Sequence, residues 1–392
     1  MVSMRLPFGR SMRQPFELAD DATFLNHGSF GACPKVILAE QDRIRKEMES
    51  QPDLHFRRAV MPDAGATALR AAASELAAFV NAGEGDLAFI ENATTGTQAI
   101  LRSVELRPGD QVLITDHTYN AVRLMVDARC AETGATPLVV RIPIPTSADE
   151  VVARFAAATT PSVKLAIVDH ITSPTALLMP LERILPDLRK FGARVLVDGA
   201  HAVGQIPLDL AALGADWYVS NAHKWLFAPK GTAFLYASKD VGPMTRPNVV
   251  SHFIEMGFPR SFDYTGTRDN SAWLAIPAVL RFFTALDSAA ARAYTGRLLQ
   301  KCSELLLSIG ARQVGPIDMC AAMRSFVLPQ RRPATAQDAV EVMRALWDRD
   351  RIQVAAMKFG DELLVRVSAQ VYVDEEDVRR LSETLTRHGW PS

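Results

Sequence analysis

Two residues, an aspartate and a lysine, have the types and the spacing to act together on a carbonyl compound. Asp198 ends an apolar run, Arg-Val-Leu-Val-Asp, and Lys224 follows 26 residues later. In an open α/β sheet the carboxyl ends of the strands face the ligand crevice, so an aspartate that ends a strand can reach a ligand. The three residues after the lysine, Trp225–Phe227, are apolar. Burial among such side chains lowers the pKa of an amine and favours the free base, which attacks carbonyls.

This pair matches what pyridoxal 5'-phosphate requires of a protein. A lysine forms a Schiff base with the cofactor, and an aspartate keeps the pyridine nitrogen protonated so that the ring accepts carbanion electrons. Either residue alone has an ordinary interpretation, because a strand-ending aspartate is commonly structural and a lone lysine is commonly a solvated surface charge. The prediction of this cofactor therefore rests on Asp198 and Lys224 together, and on other segments of the chain.

A Thr-rich segment supplies a candidate site for the cofactor's phosphate. Asn92–Ile100 follows the apolar run Leu-Ala-Phe-Ile-Glu and begins a helix, and Thr94 and Thr95 add hydroxyl groups to the first turn. Backbone amides at a helix start bind phosphate, although the segment alone is equally typical of an ordinary N-cap. The chain has no Gly-x-Gly-x-x-Gly after a first strand and no P-loop motif, which argues against dinucleotide and P-loop sites.

The elements that must position these residues alternate between short strands and Ala/Leu-rich helices. The predicted strands are Leu87–Glu91, Gln111–Thr115, Thr136–Ile142, Lys164–Asp169, Arg194–Asp198, Asp216–Ser220 and Thr232–Tyr236. The predicted helices between them are Thr95–Glu105, Asn120–Thr133, Ser147–Ala158 and Leu181–Phe191. Strands joined through helices form a parallel sheet, and nearly continuous apolar runs suit strands buried on both faces. The sequence thus predicts an α/β fold with a mainly parallel seven-stranded sheet.

Three segments are predicted along the chain. Residues 1–20 form an N-terminal extension, residues 21–280 a large cofactor-binding domain, and residues 281–392 a smaller C-terminal α+β domain. Up to about Gly65 few strong elements are predicted, and this segment is expected to contact both domains. The change near residue 280 rests on a long helical pattern and on the elements after it, namely Ala275–Leu307, strands near Ser325–Leu328 and Glu362–Val367, and a helix near Asp374–His388.

Composition excludes several classes of protein. The 392 residues carry 43 Lys and Arg against 44 Asp and Glu, so there is no basic excess for binding nucleic acid or an anionic membrane. No run of about 18 apolar residues predicts a membrane span, and the basic N-terminus lacks the apolar core of a signal peptide. The four cysteines show no metal-ligand spacing, so no metal is predicted, and they are typical of reduced thiols in a cytoplasmic protein.

Five short stretches carry a family resemblance, namely Leu25–Gly31, Ala93–Thr95, Val197–His201, Asn221–Trp225 and Gly266–Asp269. Together they resemble the class V aminotransferase family of fold-type I pyridoxal-phosphate enzymes, and within it the isopenicillin N epimerase-like subgroup. The resemblance runs from about residue 20 to residue 385. It implies the fold-type I architecture, pyridoxal 5'-phosphate as the cofactor, an amino acid or amino-acid-like substrate, and a homodimer.

The resemblance also implies roles for individual residues around the cofactor. Lys224 resembles the lysine of the internal aldimine, and Asp198 resembles the partner of the pyridine nitrogen. His201, a catalytic group, and Ser173 resemble residues near the ring hydroxyl. Tyr119 occupies the position of the side chain that stacks on the ring, with His117 as the competing choice. Four residues resemble contacts to the phosphate, namely Thr94, Thr95, Asn221 and His223.

Further residues are implied at the substrate and at the subunit interface. Arg366, in the apolar strand Leu-Val-Arg-Val-Ser, resembles the arginine that binds the substrate carboxylate, and a structural salt bridge is the alternative. Asn26 and Arg57 are predicted to contact the substrate, Arg57 through a second carboxylate or else as a solvated surface charge. His27 is either a further substrate contact or a turn-stabilising residue. Thr267 resembles the phosphate contact that the neighbouring subunit donates.

The reaction at the α-carbon stays open between three outcomes. Return of the α-proton on the opposite face is epimerisation, protonation at the cofactor carbon is transamination, and loss of a β- or γ-substituent is elimination, as in a C–S lyase. Epimerase chemistry is the leading prediction, C–S lyase and aminotransferase are alternatives, and a non-catalytic binding protein is a remote one. The loop 353–360 has no cysteine. This argues against a persulfide-forming desulfurase, because such relatives place a nucleophilic cysteine there.

Overall fold

A computed structural model describes residues 7–61 and 67–387. Its strands are β1 (Thr23–Phe24), β2 (Leu87–Ile90), β3 (Gln111–Thr115), β4 (Thr136–Val140), β5 (Val163–Asp169), β6 (Arg194–Asp198), β7 (Trp217–Ser220), β8 (Ala233–Ala237), β9 (Arg312–Gln313), β10 (Met323–Val327), β11 (Ile352–Gln353), β12 (Ala355–Phe359) and β13 (Glu362–Ser368). Its helices are α1 (Lys35–Ser50), α2 (Pro52–Ala59), α3 (Ala68–Phe79), α4 (Ala93–Ser103), α5 (Asn120–Thr133), α6 (Ala148–Ala158), α7 (Leu181–Lys190), α8 (Leu210–Leu213), α9 (Ser271–Leu274), α10 (Ile276–Ala285), α11 (Ser288–Ser308), α12 (Ala336–Asp350) and α13 (Glu375–Arg387). None of these helices is both long enough and apolar enough to span a membrane.

A seven-stranded sheet forms the centre of the larger part of the molecule, in the order β2-β8-β7-β6-β5-β3-β4. Strand β8 runs antiparallel to both of its neighbours, and the other ladders are parallel. Two apolar clusters cover the sheet, which is why the central strands consist almost entirely of buried residues. The predicted α/β fold with a mainly parallel seven-stranded sheet is confirmed, and each predicted strand begins and ends within two residues of an observed one.

The carboxyl ends of adjacent strands bring polar residues to one end of this sheet. Strand β5 ends at Asp169 and strand β6 at Asp198, and these two residues are direct partners in the parallel ladder. Strand β7 ends at Ser220, immediately before Asn221. Strand β2 runs in the same direction and is followed directly by the start of α4 at Ala93. This end of the sheet is therefore where a ligand would meet these groups.

The C-terminal part of the chain forms a second, antiparallel sheet in the order β12-β13-β10-β9. The predicted helical stretch 275–307 is helical in the structure, but a break divides it into α10 and α11. Asp287 takes the left-handed conformation at the break, with φ of 51°, and its carboxylate accepts a hydrogen bond from the Ala290 amide at 3.1 Å. An aspartate tolerates this conformation and caps the new helix. The boundary between domains 21–280 and 281–392 stays a prediction.

The N-terminal segment contains more helix than its sequence pattern predicts. Helices α1 and α2 occupy most of residues 35–59, so the expectation of few strong elements before Gly65 is wrong. Helix α1 buries Ile37, Ile44 and Met48, which lie on one helical face. Strand β1 pairs in parallel with β11, which ties the N-terminal segment to the C-terminal part of the chain.

The turn at residues 26–31 holds the backbone at Lys224 in place. His27 is fully buried, and its Nε2 lies 3.0 Å from the Lys224 carbonyl oxygen while its Nδ1 lies 2.6 Å from the Tyr372 hydroxyl. Burial lowers the pKa of His27 to about 3, so the ring is uncharged. These contacts assign His27 a structural role at this turn, which is the second of its two predicted interpretations.

Gly31 comes so close to the same loop that only glycine fits. A Cβ atom placed on Gly31 would lie 2.4 Å from the carbonyl oxygen of Lys224 and 2.6 Å from that of His223. Both contacts are with backbone atoms, which cannot swing away as a flexible side chain can. The absence of a side chain at Gly31 thus allows the N-terminal turn to pack directly on the lysine loop.

We expect Gly31→Ala to lower the stability of the protein by about 1–3 kcal/mol, the usual cost of forcing atoms into a packed interior. Urea unfolding followed by circular dichroism measures the change. Gly296→Ala is the matched control, because Gly296 lies in α11 with no atom within 4 Å of an added Cβ. That control should be neutral or slightly stabilising, and equal midpoints for the two variants would contradict the close packing at Gly31.

Candidate active site

A cavity of about 310 Å³ lies at the carboxyl end of the seven-stranded sheet. It brings together residues that are far apart in sequence, from the N-terminal turn to β13. Ser29, Phe30, Asp169 and Lys230 also line it. Nine of the predicted site residues line this cavity, namely Thr94, Tyr119, Ser173, Asp198, His201, Asn221, His223, Lys224 and Arg366.

Lys224 has an amine that is poised between its charged and uncharged forms. Its Nζ lies 3.2 Å from Nε2 of His201. Burial lowers the pKa of the Lys224 amine to about 7, with the positive charge of Arg366 acting in the same direction and Asp198 opposing them. At neutral pH about half of the amine is therefore the free base, the form that attacks a carbonyl carbon.

The hydrogen bonds of His201 favour the same form of Lys224. Burial lowers the pKa of His201 well below its usual value, so the ring is uncharged. The indole N–H of Trp225, which can only donate, lies 3.4 Å from Nδ1 of His201. This assigns the single ring proton to Nε2, which faces the lysine. An Nε2–H group needs an acceptor, and the Lys224 nitrogen accepts only as the free base.

Asp198 is a buried carboxylate that is partly satisfied by the backbone. The Ala200 amide donates to its Oδ1 at 2.9 Å. Burial raises the pKa of Asp198, while the Ala200 hydrogen bond and the charge of Lys224 oppose the rise. A protonated ring nitrogen would supply the counter-charge that this carboxylate otherwise finds only in the lysine.

Asp169 is a cavity residue that the sequence analysis missed as a candidate. It is the ladder partner of Asp198, and the Thr118 hydroxyl donates to its Oδ2 at 3.4 Å. Burial and the charge of Asp198 raise the pKa of Asp169 well above its usual value, so this member of the pair holds a proton. A signal was available, because Asp169 ends a predicted strand in the same way as Asp198 does.

The start of α4 has the features of a phosphate site. The Asn221 carboxamide oxygen accepts from the Ala93 amide at 2.8 Å, and the N-cap Asn92 accepts from the Thr95 amide at 2.8 Å. The amide of Thr94, between them, is a first-turn donor that neither side chain uses, and Thr94 lines the cavity. Thr95 does not line the cavity, because its hydroxyl also donates to Asn92. Its predicted phosphate contact stays a prediction.

His223 is a candidate phosphate contact whose value depends on whether its ring is protonated. Its Nδ1 donates to the Thr232 carbonyl oxygen at 2.8 Å, which leaves Nε2 for a ligand. Burial, together with the charge of Lys224, lowers the pKa of His223 to about 4. An uncharged ring offers only a lone pair at Nε2, so His223 contacts a phosphate favourably only if it takes up a proton. A phosphate dianion favours that uptake.

Arg366 is a buried cation without a carboxylate partner among the described residues. One of its terminal nitrogens donates to the Ser173 carbonyl at 2.6 Å and the other to the Ser29 hydroxyl at 2.7 Å. The buried Nε has no hydrogen-bond partner in the described part of the chain. Burial lowers the pKa of Arg366 to about 10, which still leaves it charged at neutral pH. A buried guanidinium with an unused donor suits an anionic ligand better than the alternative of a structural salt bridge.

The structure separates the two candidates for the stacking side chain. Tyr119 lines the cavity and is half exposed. His117 is fully buried, with its ring nitrogens 2.7 Å from the Thr175 hydroxyl and 2.9 Å from the Ile142 carbonyl oxygen. A ring with both nitrogens satisfied in the interior is a core residue, so Tyr119 is the residue available for stacking.

Besides Thr95, three predicted residues lie outside the cavity. Asn26 lines a wider groove beside it. Arg57 lies on α2, where its Nε is 2.9 Å from an Asp53 carboxylate oxygen, and it lines neither the cavity nor the groove. The Thr267 hydroxyl pairs with the Tyr264 hydroxyl at 2.9 Å and does not reach the cavity of its own chain. Their predicted functions remain predictions.

The groups in the cavity fit pyridoxal 5'-phosphate. Lys224 is a free amine for the aldehyde, Asp198 a buried acid for the ring nitrogen, and the start of α4 a set of donors for the phosphate. Residues 34–381 match the family model of aminotransferase class V. The chain belongs to the class V aminotransferase family. This membership confirms the family predicted from the sequence, the prediction of an enzyme, and the prediction of pyridoxal 5'-phosphate as the cofactor.

Relatives within this family carry different activities. The chain is 32% identical to an isopenicillin N epimerase of Amycolatopsis lactamdurans, over 95% of this chain and 96% of that protein. It is 30% identical to an L-cysteine desulfhydrase of Arabidopsis thaliana, over 92% of this chain and 87% of that protein. A solved cystine C–S lyase has the same fold, with a TM-score of 0.79, 22% identity, and coverage of 93% of this chain and 97% of that one. The family and the fold-type I architecture are thus established.

The low pKa of Lys224 predicts how the cofactor-free enzyme takes up its cofactor. We expect the uptake rate to rise with pH up to about 7 and then to level off, because protonated Lys224 cannot attack the aldehyde. Arg366→Gln removes a charge that lowers the pKa of Lys224, so the inflection should move to higher pH. Stopped-flow absorbance across pH measures both profiles. Exposed Arg297→Gln is the control and should leave the inflection unchanged, and an inflection near pH 10 in the parent enzyme would contradict the buried amine.

Proposed function

We propose that the protein is a pyridoxal 5'-phosphate-dependent epimerase of isopenicillin N epimerase-like type, acting at the α-carbon of an amino acid. The observation that carries the proposed chemistry at the α-carbon is the convergence of the free amine of Lys224, the buried Asp198 and the unpartnered Nε of Arg366 on one cavity. That cavity adjoins a groove of about 700 Å³ with which it shares Arg366 and Tyr119. The groove leaves room for a side chain far longer than that of cysteine.

Each polar group then has a defined task. Arg366 binds the α-carboxylate through its fork of donors and so fixes the orientation of the α-carbon. Lys224 removes the α-proton and holds it at Nζ. Asp198 stabilises positive charge at the ring nitrogen. The bound cofactor supplies the electron withdrawal that acidifies the α-proton. His201, held by Trp225, favours the uncharged form of the Lys224 amine whenever that amine is free to accept a proton.

A C–S lyase is the second candidate function. It is favoured by the similarity to an L-cysteine desulfhydrase over nearly the whole chain. A desulfurase that uses a protein thiol is disfavoured, because none of the four cysteines lines the cavity or the groove. Burial raises the pKa of Cys320, which makes it a poor nucleophile. An aminotransferase uses the same groups and is the third possible outcome.

An amino-acid panel in deuterated water separates these reactions. The proposal expects deuterium at the α-carbon together with inversion of configuration, read by mass spectrometry and chiral chromatography. Keto acid from the amino donor indicates transamination, and pyruvate with ammonia and sulfide from L-cysteine indicates elimination. Lys224→Ala is the control and should lose α-exchange by at least about 10³-fold. Exchange without inversion across the whole panel would overturn the epimerase assignment.

We also propose that the enzyme is a homodimer in which Thr267 contacts the cofactor phosphate of the neighbouring subunit. Thr267 lies outside the cavity of its own chain, and Val249 and Val250 are exposed apolar residues in the segment before it. Asn248, beside them, donates to the Thr95 carbonyl at the phosphate end of the cavity.

The four cysteines are unpaired, which supports a reducing compartment such as the cytoplasm.

Mixing two inactive variants tests the shared site. Lys224→Ala lacks the amine, and Thr267→Glu places a negative charge against the phosphate. In a hybrid dimer one site regains both Lys224 and Thr267 if the threonine comes from the partner. Equal mixing after mild dissociation should then restore about a quarter of the parent activity. If Thr267 served its own chain, the hybrid would have no complete site, and activity would not return.

A further inference from the structure

The groove beside the cofactor cavity has two walls from distant parts of the chain. One wall follows strands β3 and β4 and includes Asp116 and Arg141. A second wall is the edge strand β12 with Met343 of α12. The floor is shared with the cofactor cavity at Tyr119 and Arg366. A substrate held by its carboxylate at Arg366 would therefore extend its side chain between these walls.

The groove carries more positive charge than its own acids neutralise. Besides Arg366, three cations line it, Arg123, Arg141 and Lys358, against the single acid Asp116. Arg123 pairs with Asp127 at 3.0 Å. Arg141 and Lys358 have no ion pair or side-chain hydrogen bond within residues 7–61 and 67–387. The two side chains are exposed, and they can turn toward a ligand.

Asp116 does not neutralise these two cations. Its Oδ1 accepts from the Ile142 amide at 3.0 Å and lies 3.8 Å from the ring of His117. Burial lowers the pKa of His117, so that ring does not add charge. Neither Arg141 nor Lys358 lies within 4 Å of the Asp116 carboxylate. The groove thus contains two cations that a ligand, and not the protein, can pair.

The sheet register gives the backbone separation of Lys358 from the level of Arg366. Ala355 is the direct partner of Arg366 in the β12–β13 ladder, and Lys358 lies three residues further along β12. Three residues of extended chain span about 10 Å. A ligand group near Lys358 is therefore separated from the α-carboxylate by several bonds, more than the side chain of cysteine or alanine provides.

We propose that Arg141 and Lys358 form a subsite for a carboxylate at the far end of a long substrate side chain. This inference rests on the proposed function and specifies its substrate class: an α-amino acid with a second, distal negative charge. Arg141 offers a planar fork that matches a carboxylate, and Lys358 of β12 adds a mobile point charge to the same groove. Both cations are exposed, so the gain in affinity is moderate and decreases with salt.

Matched pairs of amino acids test the subsite with the purified holoenzyme. Each pair differs only in a terminal carboxylate or carboxamide: L-glutamate against L-glutamine, and L-2-aminoadipate against L-homoglutamine. Dissociation constants come from the change in cofactor absorbance and from calorimetry. We expect the longer acid to bind about tenfold more tightly than its amide at low salt, with a smaller preference for the shorter pair. The double variant Arg141→Gln/Lys358→Gln should abolish the preference and leave the binding of L-alanine unchanged.

The outcomes separate the subsite from the function on which it rests. The control double variant, Arg297→Gln/Lys239→Gln, removes two exposed cations away from the groove and should keep the preference for the acid. If L-alanine binds but acid and amide bind equally, the subsite is wrong and the proposed function stands. The same conclusion holds if the Arg141/Lys358 double variant keeps the preference. If no amino acid changes the cofactor absorbance, the proposed function fails, and the subsite fails with it.

Discussion

An amine that loses its water of hydration also loses its preference for the charged form, and the active site depends on this effect. The amine of Lys224 is buried, and that burial is the largest cause of the fall in its pKa. Arg366 strengthens the effect and Asp198 limits it, so the amine stays near the point of half protonation. The enclosure that removes water is built by packing against the loop backbone, where His27 and Gly31 hold the lysine in place. Reactivity at one nitrogen therefore depends on the close fit of a distant N-terminal turn.

Two kinds of contact assemble the site, and they differ in range. The parallel sheet places Asp169 and Asp198 side by side because ladder partners on adjacent strands must end together. The placement of these two aspartates follows from the lengths of β5 and β6 and requires no contact outside the sheet. The end of the cavity at Arg366 is different, because Arg366 comes from the second sheet and donates to Ser29 and Ser173 of two other segments. The pair Asp169 and Asp198 is thus fixed by one sheet, while the positions of Arg366 and of the Lys224 loop depend on how distant parts of the chain meet.

This difference explains how much the sequence could predict. Strands β2–β8 were predicted closely because their apolar runs are short, nearly continuous and bounded by polar residues. Lys224 and Asp198 were identifiable because each sits at a fixed place relative to such a strand. Helix α1 was missed although Ile37, Ile44 and Met48 show helical spacing, since the helix is otherwise strongly polar. Strand β12 was missed although a local signal was available, because β12 and β13 form a hairpin joined only by Gly360 and Asp361, a pair typical of such turns. The break at Asp287 was not predicted because helix-forming residues lie on either side of it. The break depends on the left-handed conformation of Asp287, which the sequence pattern does not indicate.

Charged groups near the α-carbon do not distinguish the reactions of this family, whereas charged groups along the substrate side chain can. The relatives of known name divide between epimerase and desulfhydrase at almost equal identity, 32% and 30%, so overall similarity does not assign the reaction. The lysine, the aspartate and the arginine that we propose to act on the α-carbon would serve any of these reactions, because all begin with loss of the α-proton. The fate of the resulting carbanion depends on the substituent that the substrate carries and on the groups that surround it. In this chain those groups belong to the groove between β4 and β12, where the walls carry cations and no thiol. A short thiol-bearing amino acid would leave these cations without a partner, whereas a long acidic one would pair with them.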